Sequence, residues 1–303
     1  MDIMSLTSPH IRGLEAYEPP DWEALAARAG VSPDQLIRLD AQENYYSPYP
    51  RVAEALARSE AFRFYPDYGP LKEAIARYAG AGPEQIVLGN GGDEIIDLSI
   101  RLFVEPGQAT IVCPPAFGMY TVSTEAYHGK VLSVPRRRDF SLDLPAIEAQ
   151  VQANAAARPK LLFVTSPGNP DGQSVPVETL LRLLELPLAV IVDEAYVEFG
   201  GTSTVPLLEE HDNLIVLRTL SKWAGIAGLR LGYAVTSPPI AQALERLRPP
   251  YNVNAAAVVA ALATFEDMDH VRSTLSSVIT EREQLRAALA ELPGIEPLPS
   301  QAN

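Results

Sequence analysis

With 303 residues, 47% of them apolar and 20% charged, the chain has the composition of a soluble globular protein, long enough for one major domain and a smaller one. A formal net charge of −14 argues against a nucleic-acid surface, and no apolar run approaches the ~20 residues of a membrane helix. The single cysteine, Cys113, excludes an internal disulfide, and the four histidines lack metal-ligand spacing, so no metal site is expected.

In chain order, the N-terminus (Met1-Asp2-Ile3-Met4-Ser5-Leu6) lacks the basic and apolar regions of a signal peptide, which predicts a cytoplasmic location. The first apolar run is Gln85-Ile86-Val87-Leu88. A glycine turn, Gly89 to Glu94, follows it and leads into a helical pattern of Ile95, Ile96, Leu98 and Ile100. Six more runs come at 109–112, 130–134, 161–164, 189–192, 214–217 and 232–235, separated by helical stretches. Unbroken apolar strands alternating with helices predict a mainly parallel, seven-stranded sheet covered on both faces. Arg136-Arg137-Arg138 reads as a solvated turn, and Cys113 as core packing. Met268 to Leu292 carries a long helical pattern closed by Pro293-Gly294, after which Ile295-Glu296-Pro297-Leu298 starts a new element. The expected division is an N-terminal arm at 1–40, a large domain at 41–265, and a connecting helix with the start of a small α+β domain at 266–303.

The polar motifs follow the strands, where ligands gather in sheets of this kind. Lys222 is one of only four lysines, and the only one at a strand exit among hydroxyls and glycines, in Arg218-Thr219-Leu220-Ser221-Lys222. With Arg230 eight residues on, that pattern suits a phosphorylated aldehyde cofactor, the amine taking the aldehyde while hydroxyl and guanidinium hold the phosphate. Asp193 follows four apolar residues and reaches the pocket floor as a nearly buried carboxylate, a charge that a pyridinium would pair. A helix N-cap would account for the aspartate alone, but not for Asn169 and Tyr196 nearby, which can both hydrogen-bond a phenolic ring oxygen. Gly91-Gly92-Asp93-Glu94 opens a helix and presents backbone N–H groups to an anion. Phe117 is read equally as a ring-stacking residue and as core packing.

On these motifs the chain resembles the fold-type I pyridoxal-phosphate enzymes of the class II aminotransferase group, and within them the histidinol-phosphate aminotransferase family. The resemblance implies Lys222 as the lysine that carries pyridoxal 5'-phosphate. It implies Gly92, Asp93, Glu94, Ser221 and Arg230 as phosphate ligands, Phe117 as the ring-stacking residue, Asn169 and Tyr196 at the ring hydroxyl, and Asp193 at the pyridine nitrogen. Ile11 to Pro19 is similar to the family's N-terminal segment, whose tyrosine, here Tyr17, lines the substrate pocket; Asn44 is matched to the same pocket. Arg63-Phe64-Tyr65-Pro66-Asp67 places Tyr65 at the cofactor phosphate of a partner subunit, implying a homodimer with shared active sites.

The implied activity is transamination between L-histidinol phosphate and 2-oxoglutarate. A threonine-phosphate decarboxylase or an aromatic-amino-acid aminotransferase of the same fold would share these cofactor residues. Two motifs depart from the family pattern: Asn-Glu-Asn-Pro reads Gln42-Glu43-Asn44-Tyr45, and the first asparagine of Ser-Pro-Asn-Asn-Pro is Gly168. The family's C-terminal arginine for the substrate has no counterpart before Asn303. A fragment, or a natural truncation that binds cofactor with impaired catalysis, is therefore also expected.

Overall fold

The computed structural model describes residues 3–14, 20–46, 49–154 and 158–303. Seven strands are β1 (Ile86–Gly89), β2 (Ala109–Val112), β3 (Lys130–Ser133), β4 (Pro159–Thr165), β5 (Ala189–Asp193), β6 (Leu214–Thr219) and β7 (Gly232–Thr236). They form one sheet in the order β1-β7-β6-β5-β4-β2-β3. All neighbours are parallel except β7, which runs antiparallel to both β1 and β6. The α/β class and the mainly parallel sheet are as the apolar runs predict.

The helices among the described residues are α1 (Trp22–Ala29), α2 (Pro50–Arg58), α3 (Gly69–Ala79), α4 (Gly92–Phe103), α5 (Met119–Ala126), α6 (Leu144–Ala153), α7 (Val177–Leu184), α8 (Pro238–Leu247), α9 (Ala255–Phe265) and α10 (Met268–Ala290). Successive strand residues point to opposite faces, so each β-strand feeds two cores. Leu162, Val164, Val190, Val192 and Val216 pack on one side with α3, α6, α7, α9 and α10. Leu161, Phe163, Ile191, Ile215 and Leu217 pack on the other with α4, α5 and α8. The strands bury every residue of β5 and β6, which explains their unbroken apolar patterns. No helix among the described residues is long and apolar enough to cross a membrane.

Register then decides what meets at the sheet's end. Thr165 pairs with Asp193, and Asp193 with Leu217, so β4 and β5 finish level and β6 runs on beyond them to Thr219. Thr219 pairs with Gly232 and Gly232 with Gly89, which draws the Arg230 turn and the glycine turn after β1 to that same end. The segment after α10 forms neither helix nor strand. It runs back over the 168–174 loop, where Gln301 N donates to Gly172 O at 2.6 Å and Ser174 N to Gln301 Oε1 at 2.9 Å.

Candidate active site

A cavity of about 410 Å³ opens where these strand ends meet. Its lining includes Gly92, Asp93, Phe117, Asn169, Asp193, Tyr196, Ser221, Lys222 and Arg230. At one end lies the start of α4, whose first-turn N–H groups have no acceptor within the helix. Gly91 is needed there: it sits at φ 81°, and a side chain on it would collide with the Arg230 guanidinium. Arg230 itself holds a left-handed φ of 56° at the end of the Ala227–Leu229 turn. Its Nη2 bonds Asp93 Oδ2 at 2.9 Å, an ion pair with both side chains about half exposed. Beside them Ser221 is buried and tied to the strand end, its N donating to Thr219 Oγ1 at 3.1 Å and its Oγ accepting from Thr219 at 2.9 Å.

Asp193 forms the floor, 5% exposed. Its Oδ2 accepts from the Tyr120 hydroxyl at 2.6 Å and its Oδ1 from Ala195 N at 3.0 Å. No cation pairs it among the described residues, and burial pushes its carboxyl up to about 6 despite those two donors. Tyr120 is fully packed, its ring stacked on Phe163 at 4.4 Å and crossed edge-on by Phe117 at 5.8 Å. Tyr120 escaped the sequence reading, although it lies three residues after Phe117 at the start of α5, a spacing that turns both rings the same way.

Lys222 reaches in from beyond β6, its Nζ 5.9 Å from the Tyr196 ring centre. Burial lowers its pKa and the nearby Arg230 cation adds to this, while Glu43, Asp193 and Asp93 oppose them. An amine so placed sheds its proton more readily than a free lysine. Residues 40–43 were not predicted to line the cavity, and they do. Lys222 Nζ donates to Ala41 O at 2.7 Å, and the Tyr196 hydroxyl donates to Gln42 Oε1 at 3.3 Å. Gln42 adopts φ 49°, and its carbonyl accepts from Asn303 Nδ2 at 3.1 Å.

Other expected residues lie elsewhere. The Glu94 carboxylate turns back to Asn90 N at 2.6 Å and also accepts from Asn252 Nδ2. Asn44 points at the Trp223 carbonyl, and Tyr65 is exposed, stacked on Tyr251 at 4.1 Å. Tyr17 falls outside the described residues.

Beneath the cavity lies a buried charged layer. Arg218 bonds Glu194 Oε2 through Nε and Nη2, at 3.0 and 2.9 Å, and Thr204 donates its hydroxyl to Glu194 Oε1 at 2.7 Å. A second carboxylate, the partly buried Glu198, accepts from the Tyr78 hydroxyl at 3.2 Å, but its enclosed Oε2 has no hydrogen-bond partner. Burial pushes Glu198 up to about 7 against the pull of Arg218, from an ordinary value of 4.5. The folded protein thus holds this proton more tightly than the unfolded chain. The stability it contributes is complete below about pH 4.5 and is lost as the pH rises to about 7. Glu198→Gln, which never ionises, should remove that decline. Urea unfolding across this window should show the variant gaining on the wild type by on the order of 3 kcal/mol. Parallel curves for the two proteins would contradict the assignment.

The donor set fits a phosphorylated pyridine aldehyde. Helix N–H groups, a hydroxyl and a guanidinium converge at one end, a glycine cradle leaves room beside them, and a buried anion without a cation waits at the other. An amine lies between, with Asn169 and Tyr196 at the side.

Comparison with known proteins agrees. The family described as aminotransferase class I and II matches residues 34–303. A histidinol-phosphate aminotransferase of Roseiflexus castenholzii is 44% identical, covering 99% of this chain and 82% of its own. A chloroplastic one of Arabidopsis thaliana is 42% identical, with 99% of this chain and 72% of its own covered. The crystal structure of the Sinorhizobium meliloti histidinol-phosphate aminotransferase in complex with pyridoxal-5'-phosphate superposes with a TM-score of 0.86 at 28% identity, covering 99% of this chain and 81% of that one. With strands, cavity and sequence all in agreement, this chain belongs to the aminotransferase class I and II family.

Proposed function

We propose that this enzyme uses pyridoxal 5'-phosphate to move the amino group of L-histidinol phosphate to 2-oxoglutarate, giving imidazole-acetol phosphate and L-glutamate. The observation that carries the chemistry is the Lys222 amine facing the same cavity as the buried Asp193 carboxylate and the Arg230 guanidinium. The choice of substrate is supported by the likeness to histidinol-phosphate aminotransferases over nearly the whole chain.

Bound there, the cofactor supplies an aldehyde for the amino group and a pyridine ring that takes up the electron pair left on the substrate carbon. The N–H groups of Gly92 and Asp93, the Ser221 hydroxyl and Arg230 would hold its phosphate. The Asp193 carboxylate, kept aimed by Tyr120, would hold a proton on the ring nitrogen. Asn169 and the Tyr196 hydroxyl would hold the ring oxygen, and Phe117 would cover one face. Lys222 Nζ would take the proton from the substrate carbon that bears the amino group and give it back on the other side of the nitrogen, a 1,3-shift that its lowered pKa favours. Residues 40–43 form one side of the cavity, and Asn303 Nδ2 holds the Gln42 carbonyl from behind.

A cytoplasmic homodimer belongs to the same proposal. Phe62, Phe64, Tyr65 and Tyr251 form an exposed aromatic group that a second subunit would cover. So does the division into an N-terminal arm at 1–40, a large domain at 41–265 and the start of a small domain at 266–303. Incubation with L-histidinol phosphate and 2-oxoglutarate should yield L-glutamate and imidazole-acetol phosphate in equal amounts. Carbon dioxide release from a phosphorylated amino acid, or amino exchange confined to aromatic amino acids, would overturn it.

A further inference from the structure

The backbone that carries Lys222 is gripped from outside the sheet. Trp223, the next residue, is fully buried, its indole stacked on Tyr78 at 5.3 Å. Its carbonyl oxygen accepts two hydrogen bonds, from the Tyr49 hydroxyl at 2.7 Å and from Asn44 Nδ2 at 3.2 Å. Asn44 Nδ2 also lies 3.2 Å from the Tyr49 oxygen, and Asn44 Oδ1 accepts from Tyr46 N at 2.9 Å. Tyr49 itself is 1% exposed, with its ring edge-on to His270 at 5.0 Å. A carbonyl has two lone pairs, and here each has a donor fixed by its own surroundings.

We infer that Asn44 and Tyr49 are positioning residues: an amide and a phenol that clamp the Trp223 carbonyl and so fix the chain from which Lys222 enters the cavity. The inference rests on Lys222 being the lysine that serves the cofactor, and it assigns Asn44 to the lysine's support instead of to the substrate.

The same short segment grips the lysine twice. Ala41 O accepts from Nζ, while three residues later Asn44 holds the peptide beyond Lys222. A shift of residues 41–44 therefore reaches both ends of this side chain. The distance from Cα to the amine of lysine spans four rotatable carbons, so a small shift of backbone is magnified at Nζ. Proton transfer is sensitive to displacements of about 1 Å. Tyr49→Phe deletes one donor and keeps the buried ring. Asn44→Ala deletes the other at a half-buried position, where loss of packing is small.

The test uses the full chain loaded with pyridoxal phosphate. Four quantities are read on wild type, Tyr49→Phe, Asn44→Ala and the double variant: the pH midpoint of the bound cofactor's visible absorption without substrate, kcat and KM for L-histidinol phosphate, and the thermal midpoint. The clamp predicts that each single variant moves the absorption midpoint by about half a pH unit. It also predicts kcat lower by about tenfold with KM within about twofold of wild type. The double variant should fall short of the product of the singles, because both donors act on one oxygen.

A thermal midpoint that drops while the absorption midpoint and kcat stay at wild-type values would overturn the clamp, leaving these residues as ordinary packing. So would Asn44→Ala raising KM with kcat unchanged, which would return Asn44 to the substrate. Should Tyr49→Phe fold poorly, Asn44→Ala supplies the same readings. A wild-type chain with no visible band would overturn the cofactor reading and the clamp together. A wild-type band with unshifted variants would overturn the clamp alone.

Discussion

Replacing Lys222 with alanine should lower transamination by at least about a thousandfold, within the range that loss of a positioned proton carrier produces. The cavity offers no second amine, and the carboxylates that line it, Asp40, Glu43 and Asp93 among them, are far weaker bases. Among the described residues that line it, the other strong base-forming side chain is Arg230, which stays protonated and is engaged by Asp93 at 2.9 Å. Tyr196 is close by, but its hydroxyl is bonded to Gln42. Lys222→Arg should therefore fail as fully as Lys222→Ala, since a guanidinium cannot give up its proton at neutral pH. Rapid-mixing measurement of a single turnover isolates the step. A variant that kept a tenth of wild-type activity would show that Nζ is not the proton carrier.

Asp193→Asn should have the next largest effect, a fall of about a hundredfold or more in kcat, comparable to losing one buried electrostatic contact to a developing charge. The amide keeps the size of the carboxylate but supplies no charge to hold a proton on the ring nitrogen. It also disturbs Tyr120, which donates to Asp193 Oδ2 and would face a neutral partner. The wild type carries a related pH dependence. Burial lifts Asp193 to about 6 before the cofactor arrives, so at lower pH the pocket floor is neutral. Affinity for pyridoxal phosphate should weaken as the pH falls below about 6, as measured by equilibrium dialysis, and Asp193→Asn should show weaker binding with that acid limb removed. An unchanged acid limb in the variant would mean that another group is titrating.

What could be read from the chain follows from how local each feature is. The unbroken runs of β4, β5 and β6 are visible because both faces of the sheet are buried, so no polar residue interrupts them. Lys222, Asp193 and Asn169 stand out because each follows one of those runs, and Arg230 because of its spacing from Lys222; neighbouring parallel strands bring their followers to one end of the sheet. Tyr120 is different. Its importance comes from a hydrogen bond across 73 positions of sequence to Asp193, and a tyrosine in a helix gives no local sign of that. Residues 41–44 reach Lys222 and Trp223 across still longer separations, so their part in the site is set by tertiary packing. Glu94 shows the opposite limit: the glycine turn was legible, but which of its side chains faces the ligand depended on Asn252, far along the chain. The buried pairing of Arg218 with Glu194 was equally hidden, since both residues sit inside motifs that already had an explanation.

This cavity is expected to accept the amino group of L-histidinol phosphate. The most direct measurement is the visible spectrum of the protein loaded with pyridoxal phosphate, recorded before and after adding L-histidinol phosphate in the absence of any amino acceptor. The yellow colour should be lost as the cofactor takes up the amino group, and 2-oxoglutarate should restore it. A protein that remains yellow with L-histidinol phosphate but bleaches with another amino donor would contradict the substrate, and one that never turns yellow would contradict the site.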